Sequence, residues 1–334
     1  MRMALKYILR TVAALIAAVA LAAFLNASLW SSYRAPTVLL AHRGMAQTYS
    51  REELENDTCT ADRIYAPTHP YLENTIASMR AAFDAGADVV EFDIHSTTDG
   101  HFAVFHDWTL ECRTQGKGVT HEHSLTDLKK LDIGYGYTAD GGKTFPFRGR
   151  GLGLMPSLDE VLAAFPDKRF LINVKSNFTS DGDRLAERLL KLPPAQLALL
   201  MSYGGERPMK RLRERIPAIR TTSKPVLTGC VTKYLALGWS GHVPEICRNT
   251  IVLVPADNAW LFWGWPNRFF ERMKGAGAEV FVRGPYAGGE SWGGLNTDED
   301  FAQLPQDFSG GIWTDRIDRI APKLGRQPQP TSPP

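Results

Sequence analysis

The chain has little excess charge of either sign. Its 38 Lys and Arg against 36 Asp and Glu leave a formal net charge of +2, which gives no electrostatic reason to expect nucleic acid as a partner. It has only four cysteines, none at zinc-type spacing and none arranged with a histidine as a nucleophile would be. No Gly-x-Gly-x-x-Gly loop is present, which removes the usual dinucleotide cradle. Zinc fingers, thiol enzymes and nicotinamide enzymes are therefore not expected.

Long uncharged runs are equally scarce, and the one that exists lies at the start. Arg2, Lys6 and Arg10 precede Thr11 to Trp30, a stretch without charge and long enough to span a bilayer. The basic flank predicts a cytoplasmic N-terminus with the rest of the chain exported, with Trp30 and Tyr33 suited to the outer interface. We read residues 1–30 as a retained signal-anchor helix. The alternative is a signal peptide cleaved after Ala20-Leu21-Ala22, giving a secreted protein. Export would let the cysteines pair, with Cys230–Cys247 favoured and Cys59–Cys112 possible.

What remains is rich enough for a sizeable core, at 44% apolar and 10% aromatic residues. Val89, Glu91 and Asp93 alternate with Val90, Phe92 and Ile94, so a strand here sends both carboxylates out of one face. Thr97-Thr98-Asp99-Gly100 is turn chemistry, and Phe102 to Phe105 reads as an antiparallel return ending at His106-Asp107. Folding about Thr98 would bring His106 roughly opposite Glu91. His42-Arg43-Gly44 ends another strand, aimed at a cleft. Asn173 and Lys175 end a third.

Setting the return aside, eight strands are expected, at 37–42, 88–94, 169–175, 197–202, 218–222, 251–255, 279–283 and 311–314. Helical patterns separate most of them, which predicts an α/β fold, a TIM (β/α)₈ barrel over 37–320. An open doubly wound sheet is the fallback. Met45 to Leu72 reads as a long surface excursion, of the kind that forms lids. The tryptophans of Asp257 to Phe270 are read as loop packing, a substrate wall or a bilayer contact, and 326–334 as a disordered tail.

Taken together, His42-Arg43-Gly44, Glu73-Asn74-Thr75, Gly86-Ala87-Asp88-x-x-Glu91-x-Asp93, Thr98-Asp99-Gly100, His106-Asp107, Pro156-Ser157-Leu158-x-Glu160-Val161-Leu162 and Thr314-Asp315 resemble the glycerophosphodiester phosphodiesterases. The resemblance implies a TIM barrel with a divalent metal, magnesium or calcium. It implies His42 and His106 as the acid-base pair, Glu91 and Asp93 as metal ligands, and Arg43 and Lys175 as phosphate-binding groups. Glu73 would either ligate the metal or hold Arg43. Two departures stand out. Leu72 replaces a proline, and Asn173 stands where the family has a glutamate, so that a fourth ligand would bring no charge.

The expected function is metal-dependent hydrolysis of glycerophosphodiesters to glycerol 3-phosphate and an alcohol, in glycerophospholipid metabolism. A close variant accepts lysophospholipids, as a lysophospholipase D does. The alternative, for which Asn173 is the best support, is a catalytically weak envelope protein that binds phospholipid head groups.

Overall fold

The computed structural model describes residues 2–55, 58–286, 293–306 and 308–327. Nine strands form one sheet: β1 Val38–His42, β2 Val89–Ser96, β3 Phe102–Val104, β4 Arg169–Val174, β5 Leu200–Gly204, β6 Arg220–Ser223, β7 Ile251–Pro255, β8 Glu279–Arg283 and β9 Gly311–Thr314. Eight are parallel, in the order β6-β5-β4-β2-β1-β9-β8-β7, and β3 pairs antiparallel with β2 alone. The barrel is nearly closed. Between β6 and β7 a side chain replaces the ladder, Thr250 Oγ1 donating to the Thr221 carbonyl at 2.7 Å.

The period-2 alternation of strands builds the interior in tiers. Leu40, Val89, Leu171, Met201, Leu253, Phe281 and Trp313 form an apolar plug inside the barrel. Two residues further along the same strands stand His42, Glu91, Asn173, Tyr203, Arg283 and Asp315, which places the polar tier at the carboxyl ends. The opposite faces, with Val90, Phe92, Phe170 and Ile172, pack against the surrounding helices. Each such fully buried side chain contributes about 1.5–3 kcal/mol.

The β2–β3 return has the register Ile94↔Val104 and Ser96↔Phe102, and Phe105 N–H donates to the Asp93 carbonyl. His106 therefore falls level with Phe92, one residue from its expected place opposite Glu91.

The stretch from Met45 to Leu72 is more than a surface excursion. Ala61, Ile64 and Leu72 share a second small core with Phe105, Leu110, Leu128, Tyr137, Phe147 and Met155, and the Cys59–Cys112 disulfide joins the two segments. Cys230–Cys247 forms the other disulfide. In the aromatic stretch, Phe269 and Phe270 are buried, Trp263 Nε1 donates to the Leu235 carbonyl at 2.9 Å, and Trp265 packs on Phe269, Phe270 and Phe308. Ordinary packing accounts for both of these tryptophans, while Trp260 is exposed.

Helix α1 covers Arg2–Asn26, and its Met3–Asn26 portion is long and apolar enough to cross a membrane. It stops short of Trp30 because Asn26 ends it. The Asn26 amide donates to the carbonyls of Ala22 and Trp239 and accepts from Arg272. The tail expected to be disordered from 326 is ordered at Arg326, which donates to the carbonyls of Gly86 and Thr37 and pairs with Asp88 at 2.7 Å, and from residue 328 it lies outside the described residues.

Candidate active site

Three short segments converge because each is locked locally. Arg43 adopts φ 58°, Gly44 φ 76° and Asn74 φ 59°, left-handed values that a non-glycine residue keeps only when its surroundings enforce them. A Cβ on Gly44 would come within 2.7 Å of Ser78 Oγ, so the loop lies directly on helix α2, Ile76–Asp84. Thr75 and Ser78 cap that helix reciprocally. Asn74 faces the other way. Its amide donates to Asp93 Oδ2 and its oxygen accepts from Asp93 N–H, each at 3.0 Å.

Each imidazole is held by an aspartate. His42 Nδ1 is 2.5 Å from Asp315 Oδ1, and Asp315 Oδ2 accepts from Arg51 at 2.9 Å, Asn296 Nδ2 at 2.7 Å and Gly294 N–H at 3.1 Å. With every donor around Asp315 aimed at its oxygens, the proton on His42 belongs on Nδ1, leaving Nε2 bare. That Nε2 lies 3.7 Å from Glu91 Oε2. His106 Nδ1 is 2.7 Å from Asp107 Oδ1, and Asp107 is gripped by Arg113. Arg113 also donates to Glu73 Oε2 at 3.1 Å and Thr60 at 2.7 Å.

Between the histidines lie the carboxylates. Glu73 is committed to Arg113 on one oxygen and to Arg43 on the other, at 3.1 Å each. Glu91 accepts from Tyr203 OH at 2.7 Å and Arg43 N–H at 3.1 Å. Arg43 Nε sits 3.4 Å from Asp93 and Lys175 Nζ 3.7 Å from its other oxygen. Asn173 donates to Asp93 Oδ1 through its nitrogen, at 2.7 Å. All eight residues singled out from sequence thus gather at one end of the barrel.

Arg43, Arg113 and Lys175 stand among Glu73, Glu91, Asp93 and Asp107, with Arg283 also near Glu91. Burial and the neighbouring Asp93 charge push Glu91 up to about 8. Burial would also raise Asp93, but Lys175, His106 and Arg43 together hold it below the usual carboxylate range. Burial lowers both histidines. Arg43 adds to the effect at His42, and Arg43 and Lys175 carry His106 well below 6.5.

Among the described residues no three His, Cys, Asp or Glu side chains form a ready metal cluster. The residues nevertheless fit a hard cation. Glu91 and Asp93 are buried carboxylates on one strand face, and burial together with the Asp93 charge disfavours the ionised Glu91, a penalty that a cation would relieve. Magnesium is commonly held by one or two carboxylates together with substrate phosphate and water. Arg43 Nε is buried without a hydrogen-bond acceptor, a donor suited to a phosphate oxygen.

Asn74, Asp107, Asp315, Arg51, Arg113, Tyr203 and Asn296 had no role assigned from sequence. Asp107 adjoins His106 and Asp315 directly follows the strand predicted at 311–314, so position alone could have marked those two.

Residues 42–192 match the glycerophosphoryl diester phosphodiesterase family model. Among curated proteins, a glycerophosphodiester phosphodiesterase of Caldanaerobacter subterraneus is 40% identical over 31% of this chain and 39% of its own length. One from Bacillus subtilis is 35% identical over 35% of this chain and 40% of its own. The chain therefore spans about two fifths of the length of these relatives. Solved structures match further. The phosphodiesterase domain of Rv2277c from Mycobacterium tuberculosis has a TM-score of 0.61 at 15% identity, covering 86% of this chain and 99% of that one. A phosphodiesterase from Oleispira antarctica, in complex with the product sn-glycerol-3-phosphate, has a TM-score of 0.54 at 17% identity, covering 86% and 97%. Over residues 42–192, somewhat under half of the chain, the sequence thus resembles the glycerophosphoryl diester phosphodiesterase family, and the barrel agrees with that resemblance.

Proposed function

We propose that this protein hydrolyses glycerophosphodiesters to glycerol 3-phosphate and an alcohol, using a divalent cation, in glycerophospholipid turnover. The observation that carries the reading is the placement of Arg43 and Lys175 on either side of Asp93, between two imidazoles each held by its own aspartate. The product bound by the Oleispira antarctica phosphodiesterase supports the substrate class.

Glu91 and Asp93 would hold the ion. When bound, it withdraws charge from the phosphate oxygens as the transition state forms. Arg43 and Lys175 grip the same oxygens, and Glu73, tied to Arg43 and Arg113, keeps the arginine in place. Asn173 serves by orienting Asp93. His42, with Nδ1 fixed by Asp315, offers its bare Nε2 as the base for the attacking oxygen. His106 donates a proton to the leaving oxygen as the imidazolium, having taken that proton from solvent when substrate binds, while Asp107 holds its Nδ1–H. The anionic substrate favours that protonated form, because it offsets the Arg43 and Lys175 charges that, after burial, lower the affinity of His106 for a proton. Helix α1 would hold the barrel at the outer face of a membrane, as the basic residues Arg2, Lys6 and Arg10 in its first turns favour.

The test is glycerol 3-phosphate release by the full chain in detergent. Hydrolysis that stops with EDTA and returns with magnesium or calcium is expected. Head-group binding without turnover would favour the non-catalytic alternative.

A further inference from the structure

The end of helix α1 is built into the barrel. The Asn26 amide donates to the Trp239 carbonyl and its oxygen accepts from Arg272, each at 2.7 Å, and Arg268 donates to the Leu25 carbonyl. A cation at the last carbonyls also suits the negative end of the helix dipole. The chain that follows stays bound. Asn267 N–H donates to Ser28 Oγ at 2.7 Å, Ser31 donates to Glu271 at 2.8 Å, and Lys274 Nζ lies 5.4 Å above the Tyr33 ring. Residues 27–33 are therefore a bracket and not a tether, so the direction of α1 fixes the attitude of the barrel.

Around this bracket the surface is apolar. Leu29 and Trp30 follow α1, Leu237 and Trp239 stand at the end of the helix Lys224–Leu237, and Trp260 and Leu261 close the turn after β7. Trp30 and Trp239 are each 54% exposed, and Trp260 is 72% exposed. Two bonds hold the turn after β7 against the helix: Trp263 Nε1 donates to the Leu235 carbonyl at 2.9 Å, and Tyr234 OH donates to the Trp263 carbonyl at 2.8 Å.

The charges agree with this grouping. From Ile216 to Pro244 the chain has no Asp or Glu, while Lys224 and Lys233 are exposed. A patch of exposed tryptophan and leucine marks a surface to be covered, and tryptophan with cations and no acids suits the head-group layer of a membrane. Helix α1 names the occupant. Its most apolar stretch is unburied and long enough to cross the hydrocarbon core, and the patch surrounds the point where it ends.

We infer that this face of the barrel lies on the bilayer that α1 crosses, with Trp30, Trp239 and Trp260 set into the head-group layer. The inference rests on the membrane placement of α1 proposed above and adds that the barrel itself touches lipid. Because Trp260 and Leu261 follow the carboxyl end of β7, the contact reaches the end of the barrel that carries the active site.

The test reads tryptophan emission of the full chain in vesicles of phosphatidylcholine with a minority of phosphatidylglycerol. The comparison is the same vesicles with the phosphatidylcholine brominated near its head group, which quenches tryptophans in contact with lipid. Trp30→Phe removes the tryptophan that α1 would bring to lipid unaided. In that variant bromination should still lower emission by about a quarter, the share of two side chains among the seven that remain of eight. Adding Trp239→Phe and Trp260→Phe should erase the drop. Each added singly should shrink it, which decides the matter if the triple variant does not fold. A chain that floats with the vesicles but shows no drop overturns the inference and leaves the anchor standing. So does a drop that survives the loss of both tryptophans. A drop that disappears in densely loaded vesicles marks a second copy of the chain as the occupant and also overturns it. A chain that does not float removes anchor and inference together, whereas glycerol 3-phosphate release on the same vesicles reports on the phosphodiesterase reading independently.

Discussion

Asp315 holds Nδ1 of His42 at 2.5 Å, and Asp107 stands in the same relation to His106 at 2.7 Å. Each aspartate is itself braced by an arginine from the 45–72 or 108–156 segment, Arg51 for one and Arg113 for the other. The imidazoles are thus oriented by parts of the chain outside the barrel. Asp315→Asn keeps the shape but allows the ring to present the wrong nitrogen. We expect kcat to fall by about 10²-fold, within the range of a lost proton transfer, with KM changed less than threefold. Steady-state kinetics beside a control at the exposed Glu187, Glu187→Gln, checks this.

Glu91 sets a pH dependence. Its folded pKa is raised to about 8 from 4.5, so its protonated form gives stability that is fully present below pH 4.5 and is lost as pH rises through 8. The lowered histidines act oppositely, contributing above 6.5 and losing their contribution as pH falls below it. Between pH 6.5 and 8, Glu91 is therefore the member of this group that moves. In EDTA, Tm should decline over that window, and Glu91→Gln should flatten the decline. Magnesium, which favours the ionised carboxylate, should raise Tm more at pH 8 than at pH 6.5. Differential scanning calorimetry across the window reads all three.

Arg113 is buried between Glu73 and Asp107, and removing one partner of a buried ion pair costs about 3–5 kcal/mol. Arg113→Ala should lower stability by that order and also kcat, since both Arg43 and His106 lose their support. Urea unfolding with parallel kinetics separates the two losses.

The neighbouring Cys59–Cys112 bond spans 53 residues, a loop whose closure is worth about 4 kcal/mol in the chain-entropy model. Cys59→Ala with Cys112→Ala should lower Tm and weaken activity, whereas the Cys230–Cys247 pair, remote from the site in sequence, should affect Tm alone.

The eight parallel strands were legible because each carries a short β-branched or aromatic run between turn signals, and the polar residues at their ends follow from the period of two. Boundaries shifted by up to three residues, as at Leu200–Gly204. What the sequence did not disclose was long-range. Nothing local to Met45–Leu72 says that Ile64 will pack with Tyr137, or that Arg51 will reach Asp315 across 264 positions. Asn74 was visible as part of a motif, but its left-handed backbone and two-point hold on Asp93 depend on the approach of β2. Glu73 and Asn173 were read as candidate ligands from residue type, and side-chain direction, which sequence does not carry, turns the first to two arginines and the second's nitrogen to Asp93.

The most direct measurement follows the phosphorus itself. ³¹P NMR of glycerophosphoglycerol with the full chain and magnesium, beside His106→Ala, should show conversion to glycerol 3-phosphate by the native chain and a rate lower by about 10²–10⁴ for the variant. Equal rates for the two, or no phosphorus product from either, would contradict the account.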